Sequence, residues 1–225
     1  MKKNLFFKIF TAFSFLYLIL LFLGHENFDY YLKPILIPLL TIGVYFNKKF
    51  ATRKILLAAL FFSWIGDVIL LFADISEIYF IIGLVSFLIA HILYCVLFNR
   101  QIKERVRKNL SFFVVGSIII AGYLIAMLSI LLPSLGDLKI PVIVYASVIS
   151  IMLLFAYNGL LIWPKPANQL VFLGALFFVI SDSILAVNKF YNPLWKSSFF
   201  IMLTYLVAQY LIVTGIIKLN RKEKD

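Results

Sequence analysis

Eight apolar runs, each about long enough to cross a bilayer, divide the sequence almost from end to end: 5–24, 31–47, 55–73, 78–98, 110–132, 139–162, 168–188 and 197–217. At ~1.5 Å per helical residue they approach or exceed the ~30 Å hydrocarbon core. In that medium each backbone N–H and C=O must be satisfied within the protein, so only helices or a closed barrel can span it, and runs this long and uniformly apolar are helices. The sequence therefore reads as an all-α, polytopic integral membrane bundle of eight transmembrane helices, one domain over 1–225. Composition agrees, because 64% of the residues are hydrophobic and only 14% charged, a balance foreign to soluble domains. Pro34, Pro38 and Pro141 are expected near the starts of segments two and six, where a missing N–H costs little.

A net charge of +11 suggests a nucleic-acid partner until the positions of the charges are read. They lie in short connections between the apolar runs, so membrane topology accounts for them and no nucleic-acid partner is expected. With the N-terminus inside, seventeen of the 21 basic residues fall on the inner side, leaving Lys33, Lys139, Lys189 and Lys196 outside. Both termini are thus expected to be cytoplasmic, as an even number of spans requires, and the pattern fits a bacterial inner membrane. The longest connection, Asn99 to Asn109, is basic and is expected on the inner membrane surface. The first run follows lysines but no small-x-small cleavage site follows it, so it is read as a retained helix. The single Cys95 excludes an intrachain disulfide and reads as a packing residue. Nothing in the sequence sets an oligomeric state.

Against this background two residues stand out. Asp67 lies within Trp64-Ile65-Gly66-Asp67-Val68-Ile69-Leu70-Leu71, and Asp182 within Val179-Ile180-Ser181-Asp182-Ser183-Ile184-Leu185-Ala186. Inserting an aspartate at the centre of a membrane helix costs about 2.5–3.5 kcal/mol, and such residues usually face a bundle interior or a wet cavity. The bland alternative is a carboxyl that bonds a neighbouring hydroxyl or lysine to fix helix packing. Phe61-Phe62 precede one aspartate and Phe177-Phe178 the other. The four-helix offset between them reads as a parallel four-helix repeat, with chance likeness among Phe-, Leu- and Ile-rich helices as the alternative.

Helix geometry groups the remaining intramembrane polar residues. Ser63 is one turn before Asp67, His91 and Tyr94 are three apart, and Tyr205 and Gln209 are four apart, so each set shares a face. Tyr145 and Asn158 of segment six are candidates to join them. His91 by itself reads more simply as a satisfied packing residue. Lys33, at the outer start of segment two, either snorkels to the surface or pairs with a lipid phosphate or an aspartate. Only His25 and His91 are available as histidine ligands, and no G-x-S-x-G, H-E-x-x-H or P-loop pattern occurs, so neither metal nor cofactor is expected.

Taken in order, Lys33-Pro34, Gly66-Asp67 with Leu70-Leu71, Gly83-x3-Phe87-x3-His91-x2-Tyr94, Tyr145 with Met152, Gly174 through Ser181-Asp182-x2-Leu185-Ala186, and Tyr205-x3-Gln209 resemble the YhhN-like lysoplasmalogenase family of eight-helix membrane proteins. The resemblance covers nearly the whole chain. It implies hydrolysis of the vinyl-ether bond of a lysoplasmalogen or related lysolipid to a fatty aldehyde and glycerophosphoethanolamine or glycerophosphocholine, with Asp67 and Asp182 as the catalytic pair. The chemistry suits two carboxyls, one protonated near neutral pH and the other ionised, as acid and carboxylate. Ser63, His91, Tyr94, Tyr145, Ser181, Tyr205 and Gln209 would then hold the carboxyls or the glycerol hydroxyl, and Lys33 would meet the headgroup phosphate. A proton-coupled transporter of a lipid or small molecule using the same carboxylates is the competing expectation. A ceramidase-like metalloenzyme lacks its histidine cluster here.

Overall fold

A computed structural model of the chain describes residues 2–102 and 110–221. The inner basic connection expected at the membrane surface falls largely on 103–109, and the last lysines on 222–225, outside the described residues. Among the described residues there is no strand, and the order is α1 (Lys2–Phe22), α2 (Asp29–Tyr45), α3 (Arg53–Leu70), α4 (Glu77–Arg100), α5 (Leu110–Leu131), α6 (Lys139–Ile162), α7 (Ala167–Phe190) and α8 (Ser197–Arg221). All eight expected helices are present, with ends displaced by at most four residues. Six of them, α1 and α4 to α8, are long and apolar enough to cross a membrane. The second helix has only 17 residues, and α3 carries Arg53, Lys54 and Asp67 within 18.

Segment two departs from expectation in one instructive way. Its helix begins at Asp29, so Pro34 and Pro38 lie inside it rather than near its start. Proline lacks the N–H that bonds the carbonyl four residues back. Pro38 therefore strips Pro34 of its partner, and the Trp64 indole Nε1 on α3 donates to the Pro34 carbonyl instead, at 2.8 Å. The broken ladder of α2 thus becomes a tie to α3. Pro141, the third residue of α6, sits in the first turn as expected.

Contacts divide the chain into two compact units, Met1–Leu97 and Phe98–Asp225. Within the first, α1 packs on α2 and α2 on α3. A Cβ added to Gly66 would meet the Phe87 ring at 2.6 Å, and one on Gly83 would meet Leu70 at 2.7 Å, so these glycines let α3 and α4 approach closely. Within the second unit α5 packs on α6, α6 on α7, and α7 on α8 most extensively. There a Cβ on Gly174 would reach the Ile212 backbone N at 2.8 Å and the Ala208 carbonyl at 2.9 Å. Small residues at helix crossings are how membrane bundles gain packing where lipid offers no hydrophobic drive.

Candidate functional site

Asp182 sits two-thirds of the way along α7, in a stretch where three successive side chains project about 100° apart and address three different helices. Ser181, buried, donates to the Ile201 carbonyl of α8 at 3.0 Å. Asp182 Oδ2 accepts the Tyr145 hydroxyl of α6 at 2.5 Å. Ser183 donates to the Val179 carbonyl one turn back at 2.5 Å and is joined by the Tyr123 hydroxyl of α5. The carboxyl is therefore aimed by the rotation of the whole helix, with anchors on both sides of it. Tyr145 itself is buried. Tyr205 and Gln209 lie buried on α8, where Tyr205 packs edge-on against Phe178 with ring centroids 5.4 Å apart.

Asp67 occupies the first unit and is 3% exposed. Immediately before it, Gly66 faces α4 through the Phe87 contact. One turn earlier Ser63 is fully enclosed, and its hydroxyl has no hydrogen-bond partner among the described residues. A buried donor left in that condition costs about 1–3 kcal/mol, which a polar ligand atom or water would recover. His91 and Tyr94 are both fully buried on α4. Near the start of α2 the Tyr17 hydroxyl donates to Asp29 Oδ1 at 3.0 Å and lies within electrostatic reach of Asp67 as well. Lys33, partly buried, stands one turn after Asp29 and acts on its charge.

The structure thus joins Asp182 to Tyr145, a residue the sequence had nominated without a partner, and turns Ser181 toward α8. Asn158 is half-buried on α6. Sequence reasoning did not single out Tyr123, Tyr17 or Asp29. The signal that could have found Tyr123 was a hydroxyl in an otherwise apolar run, and for Tyr17 the same, followed by an acidic residue at the start of the next helix. Each aspartate is preceded by a residue that meets the following helix, Gly66 against Phe87 and Ser181 against Ile201. Among the described residues no three His, Cys, Asp or Glu side chains lie together as a metal-binding group.

A family model described as the YhhN family matches residues 28–216, which include every candidate site residue. The human protein named lysoplasmalogenase TMEM86A is 32% identical over 184 residues, covering 79% of this chain and 70% of its own. Its counterpart of the same name from Bos taurus is 31% identical over 191 residues, covering 82% and 73%. No solved structure matches.

Proposed function

We propose that this chain, which belongs to the YhhN family, is a membrane hydrolase that cleaves the vinyl-ether bond of a lysoplasmalogen or closely related lysolipid, with Asp67 and Asp182 as acid and carboxylate. The names of its relatives support the reaction class. The observation that carries the residue assignment is the Tyr145 hydroxyl donated to Asp182 Oδ2 at 2.5 Å inside an apolar helix. A hydroxyl donated to a carboxyl favours its ionised form, and on that ground Asp182 is assigned the carboxylate's role and Asp67 the acid's.

The acid delivers a proton to the vinyl carbon remote from oxygen, and the ether oxygen's electron pair forms the oxocarbenium ion. The carboxylate stabilises that cation and takes a proton from the water that attacks it, giving a hemiacetal. Asp182 then returns its proton to the glycerol oxygen while the ionised Asp67 takes the proton of the hemiacetal hydroxyl; the C–O bond breaks, aldehyde and glycerophospho alcohol leave, both carboxyls regain their starting states, and one water is consumed. Ser63 and Tyr145 supply hydroxyls beside the two carboxyls. His91, Tyr94, Tyr205 and Gln209 position them, Ser181 fixes the rotation of α7, and Lys33 receives the headgroup phosphate. The inner excess of Lys and Arg supports both termini facing the cytoplasm, an arrangement that fits a bacterial inner membrane.

The test is purified protein in detergent, without any gradient, given a lysoplasmalogen. Aldehyde release, with one deuterium next to the aldehyde carbon when the reaction runs in D2O, is expected of the hydrolase; a transporter releases none. Asp67→Asn and Asp182→Asn are each expected to abolish turnover, and near-wild-type activity in either overturns the assignment.

A further inference from the structure

Within the second unit a groove of about 490 Å³ runs between α5, α6 and α7, inside the ~300–1,000 Å³ range of small-ligand sites. Its α7 wall extends from Phe172 to Ile184, about 18 Å at ~1.5 Å per residue. That slightly exceeds one leaflet's ~15 Å half of the hydrocarbon core. If each methylene takes about the ~30 Å³ of a liquid water molecule, the volume holds roughly sixteen of them. Depth and volume thus agree on a single lipid tail.

The lining narrows the occupant further. Its walls are apolar, and the three hydroxyls that border it are already engaged: Tyr157 donates to the Phe112 carbonyl at 2.7 Å, Tyr123 is joined to Ser183, and Ser183 donates to Val179. A polar guest would lose its hydration for little return, whereas a hydrocarbon chain sacrifices nothing. Val115, Ile119 and Ile180 flank the groove and are exposed on membrane-type helices, so entry is sideways from the bilayer. One end differs from the rest, because it is lined by Ser183, the next residue after Asp182, and by Tyr123, which lies within electrostatic reach of Asp182. The groove thus ends beside polar groups that the apolar chain of a lipid could not itself engage.

We propose that this groove seats the hydrocarbon tail of a single-chain lipid, with the lipid's polar end at the Asp182, Tyr145 and Tyr123 cluster. The identity of that polar end rests on the proposed hydrolysis; the seating of the tail does not. Leu176 lines the groove seven residues inward of Ser183, about 10 Å along the helix, beyond the reach of an octenyl chain but within that of a hexadecenyl one.

Two measurements test it. Wild-type protein in phosphatidylcholine nanodiscs is photolabelled with a lysophosphatidylcholine analogue that carries a diazirine at its tail end. Label is expected on the Phe112–Ile119 and Phe172–Leu176 stretches, competed by unlabelled single-chain lipid and not by added diacyl lipid. Scattered labelling over lipid-facing helices, or equal competition by diacyl lipid, overturns the groove as a site. In the kinetic arm, Leu176→Trp is expected to lower kcat/KM for a hexadecenyl lysoplasmalogen about tenfold or more and for the octenyl substrate far less, and Leu176→Ala to lower the hexadecenyl value only severalfold through lost apolar contact. An equal effect of Leu176→Trp on both chain lengths in a folded variant counts against the tail's placement. Labelling as expected with no hydrolysis of any vinyl ether refutes the catalytic reading and leaves the groove standing.

Discussion

The tie between Trp64 and the Pro34 carbonyl offers a test in which the structure sets both sign and magnitude. Trp64→Phe removes the donor and leaves that carbonyl with no partner, since Pro38 brings none. An orphaned carbonyl costs about 1–3 kcal/mol when fully buried and less at the half-buried Pro34, while hydrogen bonds between membrane helices average ~0.6 and reach ~1.7 kcal/mol. The expected loss from this bond is therefore about 1–1.5 kcal/mol, to which the smaller ring adds a packing loss. Pro38→Ala separates the two contributions. It restores an N–H one turn after Pro34, so the helix can satisfy the carbonyl itself, and in that background Trp64→Phe should cost only the packing loss. The cycle is read by reversible unfolding in mixed detergent–SDS micelles, followed by helical circular dichroism. A coupling of about 1 kcal/mol is expected. If Trp64→Phe costs the same with and without Pro38, the indole is a packing residue and the account of α2 is wrong.

Three further outcomes are expected. Tyr145→Phe removes the donor to Asp182, a charge-assisted bond worth about 1.5–3 kcal/mol, and should lower kcat by about ten- to a hundredfold with little change in KM; steady-state kinetics on lysoplasmalogen decide it. Ser181→Ala should cost about 1 kcal/mol of stability through the lost bond to Ile201 while sparing KM, and a large KM rise would instead place that hydroxyl on substrate. Gly174→Ala, whose Cβ would press on backbone atoms of α8, should destabilise by about 1–3 kcal/mol. Gly122→Ala, with nothing within 4 Å, should be neutral or stabilise by up to about 1 kcal/mol; thermal unfolding in detergent compares the two.

The eight helices were legible because apolar length is a local property, written run by run. The start of α2 was read two residues late, at Tyr31 rather than Asp29, since Asp29-Tyr30 has the polarity of a loop, and this drew Pro34 and Pro38 toward a helix entrance they do not occupy. Asp67 and Asp182 were legible as charges where none belongs. Their surroundings were less so. Tyr145 could be nominated from helix six but not paired, and Tyr123 reaches Ser183 across 60 residues of sequence with no periodicity to mark it. Ser181 shows the same limit from the other side: adjacency to Asp182 suggested a shared site, whereas one residue turns a helix by about 100° and sends the two side chains to different neighbours.

That divergence also bears on how the chain enters the membrane. Synthesis runs from the N-terminus, so α6 and its Tyr145 are made before α7, and α8 after it. When α7 partitions from the translocon, the penalty for Asp182, about 2.5–3.5 kcal/mol at a helix centre, falls on a segment whose intended hydroxyl partner has already been delivered. The Ile201 carbonyl that receives Ser181 arrives last. The nascent hairpin can therefore rotate α7 against α6 until α8 docks, and the attitude of the carboxylate is fixed only as the final helix leaves the ribosome.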